Sequence, residues 1–577
     1  MKNLAKYLDG YVKESIIGPL FKLLEACFEL IVPLVMANII DVGIANKDTN
    51  HILKLGGVLI LLGVLGLACS LTAQYFAARA SMGFGTALRK DLYAHINGLS
   101  YTELDTIGTS TLITRITSDA NQVQTCVNLV LRLFSRSPFI VIGALIMAFT
   151  IDAKMGVIFV IAIPLLALVI YGIMIITMPI YKRVQGVLDQ VSLITRNNLV
   201  GARVIRAFSR QKDEIAEFKE TSTELRDTQT FVGRISALLN PFTYIIVNFA
   251  IVAIIWQGGR QVNIGRLQQG EVIALVSYMT QILIALIALS NLIVNVTKGT
   301  ASASRINDVF AVQTSMMEGT RTTGNPESEY KVEFDHASFA YAHARLDSLS
   351  DISLKVKAGQ TVGIIGGTGD GKTTLVNMIP RFYDVREGAV FVDGKNVREY
   401  MYEALRNKIG MVPQRAVLFK GTIRDNMRWA KKDATDEEIY RALEIAQAKE
   451  FVDQKPEGLD TKIMQGGQNL SGGQRQRLTI ARALVGSPEL LILDDSASAL
   501  DFATDAKLRK AISTMSEAVT VFIVSQRATS IKHADQIVVL EEGKMVGLGT
   551  HEELLKTCEE YREICLSQLS KEEVEAR

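Results

Sequence analysis

Six apolar runs of about 20 residues occupy the first three hundred positions, each long enough to cross a hydrocarbon core of roughly 30 Å. They fall near residues 17–42, 53–77, 132–151, 155–178, 240–260 and 271–296. Runs such as LGGVLILLGVLGLACSLTA and MGVIFVIAIPLLALVIYGIMIITMPI are apolar around the full helical circumference. A core helix of a large soluble protein is the competing reading, and the missing polar face argues for spanning helices.

Connections after the first, third and fifth runs are short, and those after the second and fourth are roughly fifty to sixty residues long, so long helices project on one side only. Lys and Arg are about as dense in the short loops (Lys47, Lys154, Arg260, Arg266) as in the long ones, so charge asymmetry does not fix the orientation. An even number of spans puts both termini on one face. The N-terminal MKNLAKYLDGYVKES is a short amphipathic stretch without a cleavage-like small-residue motif, and it reads as a helix on the membrane surface rather than a signal peptide.

At 577 residues the chain has room for two or three domains. A net charge of +2 with scattered basic residues gives no electrostatic footprint for nucleic acid, which is not expected as a partner. The five cysteines (Cys27, Cys69, Cys126, Cys558, Cys565) lack metal-ligand spacing and read as free buried thiols. The boundaries expected are 1–315 for a membrane domain, 316–329 for a polar linker (SMMEGTRTTGNPES) and 330–577 for a soluble domain. In the last, VEFDHASFAY, ISLKVKAGQTVGIIG, ELLILDD and VTVFIVS alternate with helical stretches, which predicts an α/β fold with a largely parallel sheet.

The segment Gly366-Gly367-Thr368-Gly369-Asp370-Gly371-Lys372-Thr373-Thr374 matches GxxxxGK[ST] between an apolar strand (TVGII) and a helix (TTLVNMIP). Such glycines let backbone N–H groups turn inward onto phosphate oxygens, Lys372 adds positive charge toward the terminal phosphates, and the Thr373 hydroxyl can hold Mg²⁺. Asp370 is a discordant member, since a carboxylate facing bound phosphate weakens binding unless it points elsewhere. Leu490-Leu491-Ile492-Leu493-Asp494-Asp495 is an apolar strand ending in two carboxylates: Asp494 would support Mg²⁺, and Asp495 stands where a base or positioner for the attacking water belongs.

Between these lies Leu470-Ser471-Gly472-Gly473-Gln474. With LSGGQ flanked by Walker A and Walker B motifs, the second half resembles the ABC ATPases. The first half resembles the six-helix domain of exporters of that family, including LITRITSDANQV (112–123) and NNLVGARVIRAFSRQKDE (197–214). The resemblance implies an α-helical six-span transmembrane domain fused to an α/β P-loop ATPase domain, a half-transporter that pairs with a second half in a lipid membrane. It implies ATP and Mg²⁺ as cofactors, with both termini and the long loops in the cytosol. It assigns Tyr341 to stacking on adenine, worth about 1–3 kcal/mol, Gln414 to the Mg²⁺ or water, Ser498–Asp501 to the dimer seam, and Ser471, Gly472, Gly473 and Gln474 to the partner's γ-phosphate. The long-loop tips, Ile107–Thr111 and Asn198–Arg203, would dock on the ATPase domains.

Two departures stand out. Active members carry Glu after the Walker B Asp and His in the switch segment; this chain has Asp495 and Gln526. Asp is one methylene shorter, Gln cannot become cationic, and a catalytic group misplaced by about 1 Å can cost roughly a hundredfold. Both changes weaken one step, so the site is expected to bind ATP and hydrolyse it poorly, as in the degenerate half of bacterial heterodimeric multidrug exporters. Met464-Gln465-Gly466-Gly467-Gln468 replaces GERG before the signature. Glu25 and Glu29, one turn apart in the first span, are expected to be hydrogen-bonded or solvated rather than to carry a cation or proton. A cavity lined by Ile, Leu, Phe and Met with few charges fits amphipathic drugs, lipids or hydrophobic peptides, and multidrug-like export is the expectation. A homodimeric lipid or peptide exporter and a regulatory ATP-binding subunit are the alternatives.

Overall fold

The computed structural model describes residues 2–325, 327–496, 499–515 and 519–568. The chain divides into two compact units, Met1–Asn97 with Ser110–Val312, and Gly98–Thr109 with Gln313–Arg577.

The first unit is helical. Among the described residues, six helices are long and apolar enough to span a membrane: Asn3–Ile44, Thr49–Asn97, Thr109–Ile151, Ala153–Val200, Gln211–Asn263 and Gln269–Ala311. At 42 to 53 residues each is at least about 60 Å long, twice a hydrocarbon core, so the long connections read from the sequence are continuations of the helices themselves. The short turns are chemically marked: Asp152 caps the fourth helix by accepting from the Lys154 and Met155 amides at 2.8 and 3.0 Å. The first and sixth helices approach closely at Gly270, where a Cβ would meet the Ala37 carbonyl oxygen at 2.4 Å, and its amide donates to Asp41 Oδ1 at 2.6 Å. The N-terminal Lys2–Tyr11 is helical, and Leu4 and Tyr7 on it are buried.

Glu25 and Glu29 of the first span are both paired. Lys22 Nζ lies 2.5 Å from Glu25 Oε2 and also donates to Ser70, while Arg136 Nη2 lies 2.7 Å from Glu29 Oε2. Nearby, Tyr278 donates to the Leu30 carbonyl at 2.6 Å and the Gln281 amide reaches the Glu29 carbonyl. Isolated charge at this depth would be expensive, and pairing answers it. At the other long-loop tip, the helix that begins at Ala153 ends before Gly201 and leaves Leu199 and Val200 76 % and 84 % exposed.

The second unit is α/β. Its strands are β1 (Val332–Phe339), β2 (Leu349–Val356), β3 (Thr361–Gly366), β4 (Glu387–Val392), β5 (Lys395–Asn396), β6 (Ile409–Val412), β7 (Gly421–Thr422), β8 (Lys462–Ile463), β9 (Leu490–Asp494), β10 (Thr520–Val524), β11 (Gln536–Glu541) and β12 (Lys544–Gly549). The main sheet runs β12-β11-β3-β10-β9-β6, parallel except at β12. Its central strands, TVGIIG and LLILD, are buried along nearly their whole length, as a parallel strand covered on both faces must be. ISLKVKAGQTVGIIG, which reads as one strand, is two: its first part pairs antiparallel with β1 in a separate sheet, β2-β1-β4-β5, and the Ala358-Gly359 turn carries the chain across to β3. Among its described residues the polar segment near 316–329 forms no helix, yet it is pinned: Met316 is buried, Gly319 donates to the Tyr400 carbonyl, and the Arg321 amide donates to the Glu399 carbonyl at 2.9 Å.

Residues 98–109 complete this second unit. Ser100 and Glu103 form a capping box at the start of the helix Tyr101–Ile107, which stops at Gly108 with φ +81°. Tyr101 packs on Phe382 and Tyr383 with ring centroids 4.8 and 5.9 Å away, and Glu103 accepts from the Ser315 amide.

Candidate functional site

The P-loop follows β3 directly. Gly371 has φ +88°, and a Cβ there would meet the Ser348 carbonyl oxygen at 2.5 Å; Gly369, at φ +100°, faces open space. Lys372 opens the helix Lys372–Met378, is 9 % exposed, and donates through Nζ to the carbonyls of Gly366 (3.0 Å) and Gly367. Burial lowers its pKa, and the carboxylates of Asp370, Asp495 and Asp494 oppose that shift.

The two acidic residues at the end of β9 meet this loop. Thr373 Oγ1 donates to Asp494 Oδ1 at 2.9 Å, and burial pushes the Asp494 carboxyl up against the opposing pull of that bond, of Lys372 and of the Gln414 amide. Asp495 sits just past the strand in left-handed backbone, φ +43°, a conformation that Asp tolerates, and its amide donates to the Val524 carbonyl at 3.0 Å. Burial raises its pKa too, while a side-chain hydrogen bond with Gln414, Lys372 and Arg527 lower it. Tyr341 stands at the far side, edge-on to Phe339 (4.9 Å) and Tyr383 (5.4 Å), with its hydroxyl 3.0 Å from Thr374 Oγ1.

These groups line one cleft of about 220 Å³: Tyr341, Thr368, Gly369, Gly371, Lys372, Thr373, Thr374, Gln414, Asp494, Asp495 and Gln526 all contribute, with Ser348, Val524 and Ser525 completing the wall. Asp370 is turned away from it. Its Oδ2 accepts from the Gly367 amide and its Oδ1 from the Glu542 amide at 3.2 Å, so the carboxylate fastens the loop to the β11–β12 turn. The signature lies outside the cleft. Ser471 caps the helix Gly472–Val485 in a capping box with Gln474, and Gly472 and Gly473 form its first turn. Of the seam segment, Ala497 and Ser498 lie outside the described residues, and Asp501 caps the helix Phe502–Ser513 by accepting from Thr504.

The donor set fits a nucleotide triphosphate: a buried ammonium now resting on carbonyls, a glycine-walled loop opening on a helix N-terminus, and an aromatic face beyond it. A hydroxyl bonded to an ionisable carboxyl, Thr373 with Asp494, is the oxygen pair that a hard divalent cation takes.

A model of the ABC transporter transmembrane region matches residues 15–286, one of the ABC transporter matches 349–498, and one of the P-loop domain matches 428–575. An uncharacterized ABC transporter ATP-binding protein of Mycobacterium tuberculosis is 38% identical over 98% of this chain and 97% of its own. The chain belongs to the ABC transporter family. Similar ABC proteins include an ATP-dependent lipid A-core flippase of Desulfotalea psychrophila, 35% identical over 82% of each chain. A putative multidrug export ATP-binding/permease protein of Bacillus subtilis is 31% identical over 98% of each. The structure of a bacterial Atm1-family ABC exporter with ATP bound superposes with a TM-score of 0.80 at 22% identity, covering 98% of this chain and 99% of that one, which establishes the same fold. This ABC protein is thus a six-span exporter-type membrane domain fused to an ATPase that couples ATP turnover to transport. Such exporters act as dimers in the membrane.

Proposed function

We propose that this chain is one half of a heterodimeric exporter of small amphipathic or hydrophobic compounds, in which it binds ATP and the partner chain does most of the hydrolysis. Residues 1–315 would form the membrane domain, 316–329 the connection and 330–577 the ATPase, the latter facing the cytosol from the cytoplasmic membrane. The observation carrying this reading is that Asp495 and Gln526, the two departures from the family pattern, both line the cleft that holds Lys372 and Asp494. Binding groups and weakened catalytic groups therefore share one site.

Within it, Tyr341 would stack on the base, Lys372 would exchange its carbonyl partners for phosphate oxygens, and the amides of Gly369 and Gly371 would converge on them. Thr373, Asp494 and Gln414 would hold Mg²⁺, which neutralises phosphate charge when bound. Asp495 would take up the water's proton from too far away, and Gln526 would donate to phosphate without adding charge. Because Ser471, Gly472, Gly473 and Gln474 lie away from this cleft, they would serve the site of a facing subunit.

A homodimeric lipid exporter is the second reading, supported by the 35% identity to a lipid A-core flippase. Peptide export and a gating rather than pumping role are further alternatives. The test is the ATPase rate of this chain alone in lipid against the rate with the product of its neighbouring gene. Turnover only with the partner, abolished by removing the partner's catalytic glutamate, is expected. Robust turnover by this chain alone would select the homodimer.

A further inference from the structure

The ATPase unit holds a second cavity, of about 550 Å³, which shares no lining residue with the nucleotide cleft among the described residues. It lies between the helix Phe502–Ser513 and the helix Ala528–Ile531, beside the start of β3. Arg509, Lys510, Lys532 and His533 line it, and no carboxylate does so among the described residues. Two acidic groups stand behind the wall: Asp505, paired to Arg509 Nη2 at 3.0 Å, and Asp535, which accepts from the Thr361 amide. Lys510 and Lys532 remain exposed and, among the described residues, form no ion pair with either.

Two polar groups in this wall are buried with no partner among the described residues: Ser530 Oγ, on a residue 5 % exposed, and Arg509 Nε. Buried unsatisfied groups are uncommon, and their full desolvation cost is relieved when a ligand supplies the missing partner. Guanidinium and ammonium groups around a neglected hydroxyl are the recognition set of a phosphate, and Ile512 and Ile523 give an organic body an apolar floor. We propose that this cavity is a binding site for a small phosphorylated compound, separate from the ATP site.

Its position gives such a ligand a grip on turnover. The first helix is capped by Asp501 of the seam segment, the second begins two residues after Gln526, and Arg509 Nη1 joins them by donating to the Thr529 carbonyl at 2.7 Å. A phosphate drawing on Arg509 would compete with that bond and shift both helices together.

Inorganic pyrophosphate, titrated calorimetrically into the full-length chain in nanodiscs, provides the test. The K372A background removes phosphate capture by the P-loop, and a magnesium-free buffer avoids chelation. One saturable equivalent per chain is expected, weakened tenfold or more by K510E/K532E and several-fold by S530A. The K507E variant, on an exposed residue of the same helix outside the cavity, is expected to bind as the K372A parent does. Absence of saturable binding, or a loss in K510E/K532E no larger than in K507E, would overturn the proposal.

Discussion

The Tyr383 hydroxyl donates to Asp105 Oδ2 at 2.6 Å, joining residues 278 positions apart, and the same Tyr383 ring lies 5.4 Å from Tyr341 in the nucleotide cleft. A cavity of about 300 Å³ between them is lined by Thr102, Asp105, Tyr341 and His343 among others. Tyr341 and the strip 98–109 are thus one tyrosine apart. Burial first, then Asp105, raises the Tyr383 pKa, so the hydroxyl remains a donor well above neutral pH.

Y383F removes a hydrogen bond to a carboxylate, worth about 1.5–3 kcal/mol, or roughly a 10- to 100-fold change in a local opening equilibrium. The Gly108 amide, which donates to the Leu104 carbonyl, should exchange with solvent faster by that factor, while amides in β9 are unaffected. Unchanged exchange at Gly108 would mean that Tyr101 alone holds the strip in place.

D370S should lower the melting temperature without strengthening nucleotide binding, because the Asp370 carboxylate serves the Gly367 and Glu542 amides rather than the cleft. The loss is about 1–3 kcal/mol, a few degrees for a unit of this size. Binding of a fluorescent ATP analogue and a melting curve on one preparation check both halves. A tenfold gain in affinity would show that the carboxylate acts on phosphate after all.

Asp495 gives a prediction with a defined sign in pH. Its folded-state pKa lies above the ordinary value of 3.8, so its favourable contribution is complete below that value and is lost as pH rises through the folded pKa. D495N should therefore melt higher than the wild type at pH 8, and the difference should shrink as pH falls toward 4. Catalytically, D495E/Q526H should raise turnover by at least about tenfold if chain length and charge at these two positions limit it.

R136A leaves Glu29 without its cation inside the membrane unit and should cost about 1–3 kcal/mol, the pair being only partly buried, seen as lost monodisperse protein in detergent. R136A/E29Q should recover most of that loss. If the double variant is no better than the single one, Arg136 matters through something other than this pair.

The P-loop was legible because its geometry is local: an apolar strand, a glycine turn and a helix start, all within about fifteen residues. Asp494, Gln414 and Tyr341 were reachable through their spacing to that motif, and the structure brings them to one cleft. Ser348 was not, since its carbonyl reaches Gly371 only after β2 has folded into a different sheet from β3. The strand break at Ala358-Gly359 does leave a trace, since β2 alternates buried with exposed residues while β3 is buried almost throughout. The pinning of 316–321 rests on backbone bonds to Glu399 and Tyr400, which composition does not encode. The orientation of Asp370 likewise depended on a turn 172 residues away.

The strip 98–109 also sets a schedule for synthesis. Its Asp105 is added to the chain 278 residues before Tyr383, an interval of about 15 to 55 s at 5–20 residues per second. During that interval Tyr101 has no aromatic partner from the second unit. The nascent ATPase, for its part, closes around a piece of chain made long before it, so the order of manufacture is built into the finished contact.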